Sequence, residues 1–384
     1  MATAAHPGSP VDIDRLEEIA PPGPPPRPPG KPPVGRLVSL DAFRGFIMII
    51  LAANGFGWHA LAKSQNRAFA AIANQFEHVP WTGMVFWDLI QPAFMFMVGV
   101  AMPFAFARRM AEGSSSGRVF RHVAWRALML LLWSQVLMSV SDGRLHFQMI
   151  NVLSQIAFTY FLSFLIFQMR FRWQALAAFL LLAGHWALFV LFPGPDGPFS
   201  KAGNVGAAID QFLLGRNYSG YYVTINFISS TVTTLFGVWT GMLLRRDDSH
   251  AHRVKVLASA AAACFLFGWA LTPFNPMVKR LWTASFTLFS TGWVLLMLLF
   301  FYWLVDIRGY RKPVFPLVVV GINSIFIYSL SIVLSGWLDR AVGVFTFRYT
   351  FLGELAPVAQ ATTVVLVMWY LCYWLYQRKI FFKF

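Results

Sequence analysis

Charge is what this sequence has least of. Only 12% of its 384 residues are Asp, Glu, Lys or Arg, against 57% hydrophobic. The apolar residues come in long runs, so a water-soluble core is excluded and the bilayer is the solvent to assume. Cysteine is nearly absent as well. Cys264 and Cys372 are the two in the chain, each inside an apolar run, which excludes a disulfide framework and a thiolate metal site and leaves packing as their role. No metal is expected. Acidic residues are scarce, 16 against 31 Lys and Arg, for a formal charge of +15. Residues 1–35 carry "PPGPPPRPPGKPP" but lack the apolar core of a signal peptide, so they read as a disordered cytoplasmic tail of linker type and not as a cleaved leader. No internal repeat marks inverted transporter halves.

What is present is a series of apolar windows near 40–61, 84–107, 119–140, 149–168, 173–192, 223–244, 254–272, 282–304, 314–334 and 357–376. Runs of about 20 apolar residues select helices over a closed barrel. The expectation is an all-α integral membrane protein of about ten spans, a tail at 1–35 and one polytopic domain at 36–384. With both termini cytoplasmic, Arg108, Arg109, Arg118 and Arg121 share one inner loop, and Arg245, Arg246, Arg253 and Lys255 another. The inside then collects roughly twice as many Lys and Arg as the outside, as the positive-inside rule requires. The positive charge is therefore topology, and no nucleic-acid partner is expected; the lipid bilayer is the partner.

Polar side chains inside apolar spans need partners or a water-filled cavity. Asn54 and His59 fall in the outer half of span 1, Asp88 and Gln91 near the outer start of span 2, and Asn151, Ser154 and Gln155 open span 4. Asn226, Ser230, Thr233 and Gly237 form a stripe down span 6. This pattern predicts a polar cavity on the outer side. Gly237 and Gly241 read as close helix packing. Asp41 and Arg44, one turn apart at the inner end of span 1, are balanced between a snorkelling ion pair and a site for a charged ligand.

The outer loop "FEHVPWTGMVFWDLIQPAFMFMVGV" carries the sharpest signal. His78 sits among apolar and aromatic residues with the carboxylate of Asp88 ten residues on across a turn. A histidine held at a cavity mouth cycles its proton near neutral pH or attacks an acyl group. Asp88 either orients that ring or caps a helix start.

With these residues in place, "LDAFRG", "NGFG" and "HVPWTGMVFWDLIQPAFMFMVGVAM" resemble the opening of the heparan-alpha-glucosaminide N-acetyltransferase family. "INVLSQIAFTYF", "AIDQFLLG", "VTTLFGVWTGMLL", "KRLWTASFTLFSTGW" and "GINSIFIYSL" follow in the family's order, so the resemblance covers nearly all of 36–384. It implies a multi-pass enzyme of a cell (plasma or inner) membrane that passes an acetyl group from cytoplasmic acetyl-CoA to an amino sugar or related glycan on the far side. A homodimer is compatible with it. The resemblance gives His78 the catalytic role, matches Asn54 to a family asparagine and puts Asp88 in support; acyl transfer also requires an oxyanion donor, for which Asn54 is the candidate. Asp41 and Arg44 fall near the donor path, and Lys279 and Arg280 on the outer side. Asn151 and Asn323 join them as substrate-binding candidates. The Pro-rich tail stands where lysosomal members have an additional lumenal portion, and "SGYYVTINFISS" lacks the family's Asp-Pro-Glu-Gly-like turn, so a different acceptor is expected. The alternatives are an O-acyltransferase of surface glycans and, in another class, a secondary transporter.

Overall fold

The computed structural model describes residues 37–145 and 147–382. The tail expected over 1–35 lies outside the described residues. Within them the chain forms α-helices and no strand: α1 (Val38–Ala52), α2 (Arg67–Asn74), α3 (Ile90–Ala111), α4 (Ser116–Asp142), α5 (Val152–Phe167), α6 (Phe171–Leu191), α7 (Val205–Leu214), α8 (Phe227–Arg245), α9 (His250–Ala270), α10 (Ala284–Phe301), α11 (Phe315–Ile322), α12 (Ser324–Thr346) and α13 (Ala356–Gln377). In lipid only a helix satisfies every backbone group within its own segment, and the long apolar runs comply.

Among the described residues seven helical stretches are long and apolar enough to cross a membrane, or eight if α1 and the turn Gly55–Leu61, bent by 41°, count as one span. The sequence windows resolve differently in two places. α5 has only 16 residues. The window 314–334 breaks at Asn323, between α11 and α12, and α12 then runs on to Thr346. The break has a local cause. The Asn323 amide donates to Ile380 O (3.0 Å) and accepts from Phe382 N (3.1 Å), so it ties the chain's C-terminal segment to the helix junction.

α3 and α8 form the centre: 72% of each apolar window is buried, against 22% for α4, α6 and α9, whose remaining faces are left for lipid. The central pair touches backbone to backbone. A Cβ at Gly99 would lie 2.0 Å from Thr234 O, and one at Gly237 would lie 2.0 Å from Phe96 O. Glycine is thus the only residue either site admits, which is the close packing expected of Gly237. The contact fixes the height of α3, and with it the short 3₁₀ turn Phe86–Leu89 that leads into the helix and carries Asp88.

Candidate functional site

The loop between α2 and α3 is fastened at several points. Gly83 N donates to Met277 O (2.9 Å), Arg280 Nη1 to Pro80 O (2.5 Å) and Trp81 Nε1 to Phe199 O (2.8 Å). The Arg280 guanidinium also lies over the Trp81 ring, 5.8 Å from its centroid. These ties clamp the His78 loop against the turn before α10. That turn is itself held by Thr283, whose hydroxyl donates to Pro276 O (2.7 Å) and accepts from Val278 N (3.0 Å). The result brings Lys279 to His78 across 201 positions of sequence.

His78 Nδ1 lies 2.6 Å from Asp88 Oδ1, and Lys279 Nζ lies 3.3 Å from the same oxygen. The Asp88 side chain is 1% exposed and that of Lys279 7%, while His78 is 40% exposed. Lys279 Nζ is also 3.4 Å from His78 Nδ1, but one ring nitrogen cannot both donate to the carboxylate and accept from the ammonium. The shorter contact decides: Nδ1–H donates to Asp88, and Lys279 balances the buried carboxylate. Nε2 then carries the lone pair, and no described residue bonds to it. Asp88 Oδ2 meanwhile accepts from Val85 N (3.2 Å), capping the 3₁₀ turn. Both roles read for Asp88, ring orientation and helix cap, hold together on its two oxygens.

His78 and Lys279 line a cavity of about 270 Å³ with Gln91, Asn151, Tyr222 and Tyr328. One wall is a buried amide chain in which Gln91 donates to Gln155 and Gln155 to Asn226, while Asn226 Nδ2 reaches Arg280 O at 3.4 Å. Another wall is set by Gln135, which donates to Gln148 O (2.9 Å) and accepts from Gln148 N (2.7 Å). The amides at span ends thus serve to shape the cavity.

Toward the turn between α3 and α4 lies a second cavity, about 90 Å³, lined by Arg44 and Arg126. Phe94 lines both it and the His78 cavity. Arg126 lies over the Tyr160 ring at 5.2 Å, and its buried Nε has no partner among the described residues. One turn further in, at the start of α4, Arg109, Arg118, Arg121 and His122 surround a cavity of about 370 Å³. Arg109 Nη2 is 2.6 Å from His122 Nε2, and no carboxylate lines this cavity. Crowded cationic groups without a counter-charge are a receptor for an anion.

The structure therefore brings together four of the residues singled out in sequence: His78, Asp88, Lys279 and Asn151. Asn151 does so while capping α5 through Ser154 N (3.0 Å). Arg280 is a strap on the His78 loop. Arg44 lines the inner cavity, within 3.4 Å of Asp41 and of Gly321 O. Asn54 lines a different outer cavity from His78, because the helix bends at Asn54 (φ 47°). Asn323 is fully buried with its amide committed to the backbone of Ile380 and Phe382. Among residues not singled out, Arg126 had a legible signal, a cation well inside an apolar span. Tyr222, Tyr328 and Phe94 had none, since aromatic residues are common in every span. Among the described residues no group of three or more His, Cys, Asp or Glu could hold a metal.

Two curated proteins are similar to this chain. Heparan-alpha-glucosaminide N-acetyltransferase from Homo sapiens is 25% identical over 423 residues, and the protein of the same name from Mus musculus is 23% identical over 424. Each alignment covers 91% of this chain and 60% of the relative, so the chain spans 60% of the length of the curated relatives it matches. No family model matches it. The resemblance drawn from the ordered motifs is borne out as relatedness to these acetyltransferases.

Proposed function

We propose that this chain is a transmembrane acyltransferase that moves an acetyl group from acetyl-CoA at the cytoplasmic face to the amine of a sugar at the outer face, with His78 as general base. The observation that carries the reading is the contact of His78 Nδ1 with a buried carboxylate (2.6 Å) inside a cavity that shares Phe94 with an arginine-lined cavity on the other side. The activity named for the two relatives supports it. In this reading the protein sits in a plasma or inner membrane.

The donor's phosphates meet Arg109, Arg118 and His122, and its arm runs past Arg126 and Arg44 along α3. Helical rise puts roughly 22 Å between Arg109 and Phe94, a distance that an extended phosphopantetheine arm spans. The thioester carbonyl then enters the His78 cavity. The acceptor nitrogen attacks the carbonyl carbon while Nε2 takes its proton. The tetrahedral intermediate collapses with loss of CoA thiolate, to which the imidazolium returns the proton. Asp88 keeps the tautomer throughout, by holding the hydrogen on Nδ1.

The oxyanion needs a donor. Asn54, which lines the neighbouring cavity, is replaced in this reading by Tyr328, which lines the His78 cavity and whose hydroxyl has no partner among the described residues. The test is CoA release by the purified protein in detergent, with glucosamine as acceptor. His78→Ala, folded as judged by its elution and melting, is expected to lose activity by about 10²-fold or more. Equal turnover in parent and variant would sink the role of His78. Absence of CoA release from the parent with any amine or hydroxyl acceptor would sink the enzyme reading.

A further inference from the structure

On the far side of α1 from His78 lies a larger cavity, about 610 Å³, that acyl transfer does not use. Leu51 lines the His78 cavity and the next two residues, Ala52 and Ala53, line this one, so the outer end of α1 is a common wall. Ala52, Ala53, Ala361 and Val364 supply small and apolar lining; its polar side chains are Asn54, His59, Ser335, Asp339, Arg348, Thr350 and Gln360.

Three features mark it as built. Two stretches of left-handed backbone border it: Asn54, Gly55, Phe56 and Gly57 (φ 47°, 62°, 54° and 69°), and Phe347, Arg348 and Tyr349 (φ 49°, 52° and 52°). Side chains other than glycine rarely adopt this region, and runs of it persist only where the surroundings over-determine them, which is most often at ligand sites. The second feature is support from behind. Gln360, 5% exposed, donates to Asp339 O (2.8 Å) and Oδ1 (3.2 Å) and accepts from Thr346 (2.9 Å), which fixes the carboxylate. The third is charge balance. Arg348 Nη2 is 3.3 Å from Asp339 Oδ2, and these are the only two formal charges on the lining.

The Asn54 amide and His59 imidazole have no side-chain partner among the described residues. The polar lining thus offers both acceptor and donor groups with no net charge. An anion would face Asp339, a cation would face Arg348, and an alkyl chain would leave Asn54 and His59 unpaired. Hydroxyl groups, which donate and accept at once, satisfy Asn54 and His59 and can join the Asp339–Arg348 pair without adding charge. We propose that this cavity binds a neutral sugar ring, as a carbohydrate site separate from the one that holds His78.

Binding of cellobiose to the full chain in detergent tests this, measured by calorimetry alongside glucuronate and glucosamine as anionic and cationic probes. A Cβ at Gly336 meets nothing within 4 Å and the residue lines the cavity, so Gly336→Trp narrows it. Saturable cellobiose binding that weakens at least tenfold in Gly336→Trp, and is kept in His78→Ala, is the expected result. If Gly336→Trp does not fold, Arg348→Gln, altered at an exposed guanidinium, is expected to weaken cellobiose to the same degree. No cellobiose binding, tighter binding of either charged sugar that weakens in Gly336→Trp, or cellobiose binding lost in His78→Ala and kept in Gly336→Trp would each overturn the proposal. Because binding is read without turnover, it stands or falls separately from the transferase reading.

Discussion

Lys279 and His78 meet at one oxygen of Asp88, with Nζ 3.3 Å and Nδ1 2.6 Å from Oδ1. The buried carboxylate therefore has two partners of unequal kind, an ammonium and an imidazole.

Removing the carboxylate alone leaves Lys279 buried and uncompensated. Asp88→Ala is expected to destabilise the protein by about 3 kcal/mol or more, read as a fall in melting temperature. Adding Lys279→Met to Asp88→Asn should restore most of that stability while activity stays low, because His78 has lost the group that holds its tautomer. Recovery of both together would sink the positioning role.

Phe94 separates the two cavities that it lines. Phe94→Ala should open a water path to the thioester, raising CoA release in the absence of acceptor relative to transfer. It should also cost about 3 kcal/mol in stability, since the side chain is buried. An unchanged ratio of hydrolysis to transfer would remove the barrier role.

Arg109 and Arg126 are assigned to donor binding, not chemistry. Arg126→Gln is expected to raise KM for acetyl-CoA about tenfold with kcat nearly constant, as for loss of one charged hydrogen bond. Arg109→Gln should do the same, and its effect should shrink for a donor lacking the 3′-phosphate or at high salt. A fall in kcat at constant KM would contradict the assignment.

Tyr328→Phe tests the oxyanion donor. The expected loss is about 10²-fold in kcat with little change in KM. Full activity in this variant would leave that role empty.

Asp210, in α7 outside the spans, has its carboxyl raised above the usual 3.8 by burial, opposed by the hydrogen bonds from Thr224. A raised native value means the folded state holds the proton to higher pH than the unfolded chain. This group's contribution is thus greatest below 3.8 and declines as pH rises through the native value. Melting temperature against pH should show that decline in the parent and lack it in Asp210→Asn.

Much of the site was legible in order of sequence. His78 and Asp88 lie ten residues apart on a loop and the helix it enters, so local chain geometry alone brings them near. Gly237 was readable as a packing glycine for a similarly direct reason, since only a missing side chain lets two helix backbones touch. Asn323 was not readable, because its amide is consumed by the backbone at 380 and 382, a contact that exists only once α12 and α13 have packed. Asn54 lies on the first apolar window, yet a left-handed turn carries it to the opposite side of α1's end.

By itself, then, the sequence determined the solvent, the helical class and the pairing of an imidazole with a nearby carboxylate, because hydrophobic run length and short-range spacing are properties of the chain alone. Tertiary structure decided what no spacing encodes: that Lys279 closes on Asp88, that Phe94 stands between two cavities, and that the end of α1 borders a second, charge-balanced pocket. Each of these depends on which helices touch, and in a bilayer that is settled by close packing between helices and not by the hydrophobicity they all share.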